Sequence, residues 1–149
     1  MNGEDIMADV LLVYWSGTDN TKIMAEKIKE GIESTGQTVL FKSVDEVDES
    51  IVEDFDKIAF GCPSMGIEEL EEEEFEPFFS SIEYMLEGKK VALFGSYGWG
   101  EGEWMESWVE RTLDKGALVF KEQGLIINST PSTKEEEDCK QFGREFAEY

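Results

Sequence analysis

Six consecutive residues, Ser16, Gly17, Thr18, Asp19, Asn20 and Thr21, carry three hydroxyls and one amide side chain directly ahead of a segment of helical period. A helix that starts there offers free backbone N–H groups at the positive end of its dipole, so the run can bind a phosphate with neutral donors. The same residue types make an ordinary N-capped turn. The run is neither a Walker loop, for want of the Gly-Lys-Ser/Thr ending, nor a dinucleotide fingerprint, for want of its three glycines. Two further stretches carry side chains that could serve a ligand. In Pro63, Ser64, Met65, Gly66, Ile67 and Glu68 a thioether stands between Pro-Ser and Gly, and in Ser96, Tyr97, Gly98, Trp99 and Gly100 an indole stands between two glycines. That indole can be presented without crowding, and its backbone can approach a ligand closely. A lone methionine commonly fills a core gap, and a glycine-flanked tryptophan also serves as a core anchor or a partner contact, so the residues alone leave these uses open.

The elements that must position these stretches follow from periodicity. Apolar, β-branched runs read as strands at Val10 to Trp15, Thr38 to Lys42, Lys57 to Cys62, Lys90 to Gly95, and Ala117 to Phe120 with a continuation at Leu125 to Ile127. Helical spacing marks Thr21 to Ser34, Phe75 to Leu86, Glu103 to Leu113 and Lys134 to Phe146, with a weaker, shorter helix from Val44 to Asp54. The alternation predicts an α/β fold: a doubly wound, five-stranded parallel sheet of order 2-1-3-4-5 between two helical layers. Ligands of such sheets sit at the carboxyl ends of strands 1, 3 and 4, which here lead into the three stretches above. Trp104, Trp108, Phe78 and Phe79 fall at helical spacing and read as core. Trp15, at the end of strand 1, is either a core residue or a lid near the phosphate.

Composition narrows the chemistry. At 149 residues with 40% hydrophobic the chain has the size of one domain, read as a tail over residues 1–8 and a domain over 9–149. It contains no apolar run near the roughly 20 residues that span a bilayer and no basic, then apolar leader at its start, which points to the cytoplasm. Cys62 and Cys139 match no metal spacing and read as free thiols. The 35 acidic and 13 basic residues give a net charge of −22, a poor match for nucleic acid or an anionic membrane. With no histidine, the commonest general base is missing, so any chemistry belongs to a bound cofactor. Glu68 to Glu74, with six glutamates in seven residues, reads as a solvated loop.

The run Tyr14-Trp15-Ser16-Gly17-Thr18-Asp19-Asn20-Thr21 resembles the phosphate loop of flavodoxins, Thr/Ser-x-Thr-Gly-Asn-Thr. Gly95 to Gly100 matches that family's Gly-Ser-Tyr-Gly-Trp-Gly, and Gly61 to Glu68 is similar to its Gly-Cys-x-x-Met-Gly-x-Glu. The similarity, to short-chain flavodoxins of anaerobic bacteria, extends from Val10 to the C-terminus. It implies a flavodoxin-like fold and a non-covalently bound FMN, with no metal and no catalytic residue. The implied function is low-potential one-electron transfer between semiquinone and hydroquinone. By the resemblance, Ser16, Thr18, Asn20 and Thr21 hold the phosphate, Trp99 and Met65 form the two walls around the ring, Glu68 accepts from flavin N3–H, and the Gly66–Ile67 peptide faces N5. Asp19 stands where the family has glycine; aspartate tolerates left-handed backbone better than most residues, while its carboxylate near a phosphate is repulsive unless turned to water.

The implied partners are reductases and oxidoreductases with basic docking surfaces, steered by Glu68 to Glu74, Glu101 and Glu103, with the chain itself a monomer. A phosphoacceptor receiver domain shares the sheet order, but strand 3 here ends in Cys62-Pro63 and strand 5 in Asn128-Ser129 where that class needs Asp and Lys. Nearer alternatives are a flavodoxin-like NAD(P)H:quinone reductase and a ribonucleotide-reductase-activating flavoprotein. Position 67 has its own consequence, because the resemblance makes Ile67 the third residue of a type II turn, which calls for positive φ. A β-branched residue there is strained by about 1 kcal/mol or more. Redox titration of Ile67→Gly is expected to show a higher quinone/semiquinone potential than the parent, and no rise counts against the strain.

Overall fold

Val10, Leu11, Leu12, Val13 and Tyr14 form β1 (Val10–Tyr14), buried along its whole length, because a continuous apolar run satisfies a parallel strand covered on both faces. The computed structural model describes residues 8–66 and 69–149. Within them β1 lies between β2 (Val39–Ser43) and β3 (Lys57–Gly61), and β3 pairs with the eight-residue β4 (Lys90–Tyr97). The order is β2-β1-β3-β4-β5, all parallel, as the sequence predicts.

The fifth position is held by two pieces. β5 (Leu118–Val119) pairs with the first half of β4, Val91 opposite Val119, and β6 (Leu125–Asn128) with the second half, Phe94 opposite Leu125. A 3-10 turn over Phe120–Glu122 separates them, with Lys121 at φ +62° and Glu122 at φ +52°. The sheet therefore has six strands where five were expected. A second difference concerns Val44 to Asp54, which is no single helix but two 3-10 segments, Val44–Glu46 and Glu49–Asp54. Ser43 closes a capping box with Glu46, and Asp48 accepts from the Ser50 N–H, so a fresh cap starts a new turn before the first can extend.

Helices α1 (Asn20–Glu33) and α4 (Thr133–Ala147) cover one face of the sheet; α2 (Phe75–Ile82) and α3 (Glu103–Asp114) cover the other. Alternate strand residues divide the core accordingly. Leu11, Val13, Phe60 and Leu93 pack with Phe75, Phe79, Trp104 and Trp108, while Val10, Leu12, Ala59 and Phe94 pack with Ile28, Ile32, Phe142 and Phe146. Trp104, Trp108, Phe78 and Phe79 are all buried, in keeping with their spacing. Residues 1–7, the greater part of the expected tail, lie outside the described residues.

Two sets of contacts fix the helices within each layer. Between α1 and α4 the backbones touch at glycines: a Cβ on Gly31 would lie 1.9 Å from the Lys140 carbonyl oxygen, and one on Gly143 would lie 2.2 Å from that of Ile28. Between α2 and α3, Arg111 makes two bonds to Glu76 (2.8 and 2.6 Å) and two to Glu83 (2.9 and 3.0 Å), with its guanidinium 5.0 Å from the Phe79 ring centroid.

Gly143→Ala is expected to lose about 1–3 kcal/mol of stability, read from the urea midpoint, because backbone must move to admit the methyl group. Arg111→Met is expected to lose about 1–2 kcal/mol at neutral pH, the pair being part-exposed and screened. The Arg111 hydrogen bonds hold the Glu76 carboxyl below its ordinary value. A carboxyl depressed in the folded state stabilises above its unfolded pKa, and that contribution is lost as pH falls through the folded value. Acid titration of Arg111→Met should therefore show a shallower fall in stability than the parent.

Candidate functional site

Parallel strands end on one rim, and here hydrogen bonds continue past the strand ends into the loops. The Trp15 N–H donates to the Gly61 carbonyl (2.9 Å), Cys62 N–H to Phe94 (3.1 Å), Ser64 N–H to Ser96 (3.0 Å) and Ser129 N–H to Tyr97 (2.8 Å). Thr21 and Ser96 are buried and their hydroxyls lie 2.9 Å apart, with the Ser96 N–H also donating to Thr21 Oγ1 (3.2 Å). The first turn of α1 is thus tied to the end of β4, and these two hydroxyls work first as a joint between loops.

The loop before α1 is open. Gly17, Thr18 and Asp19 are exposed, and Ser16 Oγ accepts from the Lys22 N–H (3.2 Å). Among the described residues, the backbone amides from Gly17 to Thr21 have no protein acceptor. Asp19 takes φ +70°, the left-handed conformation expected of it in place of glycine, and its carboxylate makes no cap bond to α1. A Cβ on Gly17 would come within 2.8 Å of the Trp15 ring, so the indole lies against this loop. Such open amides at a helix N-terminus, backed by neutral side-chain donors, fit a phosphate.

A cleft of about 320 Å³, at the small end of the range for ligand pockets, joins the loops. The first loop contributes Gly17, Thr18 and Asn20; the second Pro63, Ser64 and Met65; the third Ser96, Tyr97 and Gly98. Trp15 lines it too, and a neighbouring cleft of about 360 Å³ shares Trp15 and Met65 and is lined by Gly66. Ser16, Asp19, Thr21, Trp99 and Gly100 lie outside the first cleft's lining. Met65 and Trp99 are nevertheless exposed by 39% and 66%, large apolar surfaces at the rim that a bound ring would cover. Among the described residues other than its chain neighbours, nothing lies within 4 Å of a Cβ on Gly98, so packing does not demand glycine there, while a ligand lying on the backbone would. Met65 and Glu69 exchange backbone hydrogen bonds of 2.7 and 2.9 Å, closing a tight loop with Gly66 at φ +52°; Ile67 and Glu68 lie outside the described residues.

A fourth loop reaches the site that the sequence reading passed over. Ser129 lines the cleft at φ +61°, Asn128 Nδ2 donates to the Tyr97 carbonyl (3.2 Å), and Thr130 Oγ1 donates to Asn20 Oδ1 (3.0 Å). The signal was the polar run Asn128 to Ser132 after a strand that ends on the same rim.

The acidic run is not uniformly solvated, which corrects the reading of it as a surface loop. Glu71 is buried, and its carboxylate accepts from the N–H groups of Glu73, Glu74 and Phe75 at 2.8 Å each, capping the entry to α2. Glu74 accepts from the Trp15 indole N–H (3.0 Å), linking this run to the first loop. Burial pushes the Cys62 thiol far up and that of Cys139 to about 12, so both stay protonated and unreactive.

The family model for flavodoxin matches residues 12–142. A flavodoxin of Clostridium beijerinckii is 48% identical over 138 residues, covering 91% of this chain and 97% of the relative. A flavodoxin of Megasphaera elsdenii is 46% identical over 134 residues, covering 90% and 95%. The solution structure of two-electron reduced Megasphaera elsdenii flavodoxin superposes with a TM-score of 0.85 at 44% identity, covering 94% of this chain and 99% of that one. These matches favour an electron carrier over the quinone-reductase and ribonucleotide-reductase-activating alternatives. Fold, rim and sequence agree: the chain belongs to the flavodoxin family of FMN-binding electron carriers.

Proposed function

We propose that residues 9–149 form one FMN-binding domain working as a low-potential one-electron carrier with no catalysis of its own. Ser16, Thr18, Asn20 and the amides from Gly17 to Thr21 receive the phosphate, and the Trp15 indole backs their loop. Met65 and Trp99 flank the ring, with Ser64, Tyr97 and Gly98 between them and Glu68 at its N3–H. The observation that carries this reading is the convergence of open helix-terminal amides with an exposed thioether and an exposed indole at one rim. When bound, FMN supplies one-electron chemistry; the chain holds it, shields its faces and sets the field around it.

That field opposes added negative charge. A carboxylate about 10 Å away contributes around 0.4 kcal/mol in water-like dielectric, and less with salt. The acidic excess sums many such contributions, and each kcal/mol moves a one-electron couple by about 40 mV. Asp19, Glu69, Glu72 and Glu73 are exposed near the rim, while the site residues include no lysine or arginine to offset them. The same surface favours basic protein partners over nucleic acid or anionic membrane. No helix among the described residues is long and apolar enough to cross a membrane. Separately, by analogy with its flavodoxin relatives, we assign the protein to the cytoplasm as a monomer.

The cofactor-free chain is expected to take up one FMN with quenching of flavin fluorescence; failure to do so overturns the assignment. Thr18→Ala is expected to weaken FMN about 10- to 100-fold and leave riboflavin nearly unchanged, since the lost bond is to a charged group that riboflavin lacks. Trp99→Ala is expected to weaken both ligands by about tenfold or more, as loss of a stacking wall. Trp15→Phe keeps the ring but removes its N–H to Glu74, and is expected to weaken FMN more than riboflavin; equal loss for both would remove Trp15 from the phosphate side.

A further inference from the structure

A second cleft, of about 450 Å³, begins two residues beyond Trp99 and runs between α3 and the segment joining β5 to β6. Its floor is apolar: Met105, Val109, Leu113 and Ile126. Glycines shape it, because a Cβ on Gly124 would lie 2.2 Å from Met105 Sδ and one on Gly102 would lie 2.9 Å from Ile126 Cδ1. Its walls carry Glu106 and Glu110 on one side, Glu122 on the other, and Glu101 at the end next to the flavin rim.

Three observations set this groove apart from an ordinary acidic surface. Glu106 and Glu110 stand four residues apart on one helix, where like charges repel, and unlike Glu26 and Glu30 on α1, whose Glu30 is met by Lys27 (3.3 Å) and Lys140 (3.7 Å), neither has a cation beside it among the described residues. Glu122 is brought to the wall by two successive left-handed residues, Lys121 and Glu122, a backbone state that neither side chain favours. Among the described residues, no cation pairs with the four wall carboxylates: Arg111 is engaged by Glu76 and Glu83, and Lys121 by Glu145 (2.7 Å). The neighbouring cations are thus turned to other partners, leaving a negative wall over an apolar floor.

We infer that this groove docks a basic, amphipathic segment of a partner protein, with lysine or arginine side chains meeting the glutamates and one or two bulky apolar side chains seated on Met105, Val109 and Ile126. Charge complementarity selects that occupant: an acidic or purely apolar segment would leave four carboxylates unpaired or desolvated. A segment lying in the groove has one end beside Glu101, two residues from Trp99, so docking there would fix a partner's approach to the exposed ring edge. That the partner exchanges electrons rests on the function proposed above; occupation of the groove does not.

The test uses the FMN-loaded protein, ¹⁵N-labelled, titrated at low salt with a synthetic helical peptide carrying lysines four residues apart around two leucines, and with the same peptide bearing glutamates instead. Amide shifts are expected at Met105, Glu106, Glu110, Gln123 and Gly124 for the lysine peptide alone. The triple variant Glu106→Gln, Glu110→Gln, Glu122→Gln is expected to weaken that peptide about tenfold or more, while Glu53→Gln, Glu136→Gln, Glu148→Gln, with the same net charge, weakens it less than about twofold. Equal loss in the two triple variants, shifts spread over other acidic faces, or equal binding of the glutamate peptide overturns the inference. FMN affinity of the groove variant, read by fluorescence quenching, is expected to match the parent. Failure of the FMN-loaded parent to bind the lysine peptide sinks only this proposal, whereas failure of the parent to bind FMN sinks the functional reading.

Discussion

The last residues of β4 hold the site together. Four loops meet at its end: the Ser96 carbonyl accepts from the Ser64 amide, the Tyr97 carbonyl from Ser129, and the buried Ser96 side chain bonds Thr21 at the start of α1. This works because β4 continues as an eight-residue strand past the end of β3, exposing pairing groups to the loops beside it. The close approach also needs Gly95, since a Cβ there would fall 2.1 Å from the Cys62 carbonyl oxygen. Loops are usually the softest parts of a domain. Here a sheet ladder extends into them, so the open amides of the first loop and the exposed Met65 and Trp99 are presented from a rigid base.

The acidic character of the chain has several separate uses. Glu71 is structural, its buried carboxylate satisfying three amides at the entry to α2 that would otherwise lack partners. Glu74 orients an indole, and Glu76 and Glu83 clamp Arg111 and fasten α2 to α3. Among the described residues, Glu69, Glu72, Glu73, Glu101 and Glu103 are exposed near the rim and set the field felt by anything bound there. A ring that must accept a second electron sits poorly in such a field, which is the physical basis of a low potential.

Much of the site was legible in the chain because its chemistry is local. A Ser/Thr/Asn run before a helix, an indole between glycines and a methionine before glycine declare themselves by residue type, and the order of parallel strands sends all three to one rim. The left-handed Asp19 was legible for the same reason, since its short side chain makes that backbone affordable. Other features depended on neighbours distant in sequence. The fifth strand is broken because Lys121 and Glu122 turn left-handed between two segments that each reach β4 separately. Ser129 and Thr130 join the site through Tyr97 and Asn20, 32 and 110 residues away. The burial of Glu71 beside the exposed Glu69, Glu72, Glu73 and Glu74 has no mark in composition at all.

Residue type and period determined the elements, the doubly wound sheet and the side chains able to meet a phosphate and a planar ring. Tertiary structure alone decided which hydroxyls are consumed in joining loops, which glutamates are buried, paired or left bare, and where a groove opens beside the rim. The division has a physical origin: backbone preference and hydrophobic periodicity act between near neighbours in the chain, whereas hydrogen-bond satisfaction and charge pairing depend on whichever groups folding brings together.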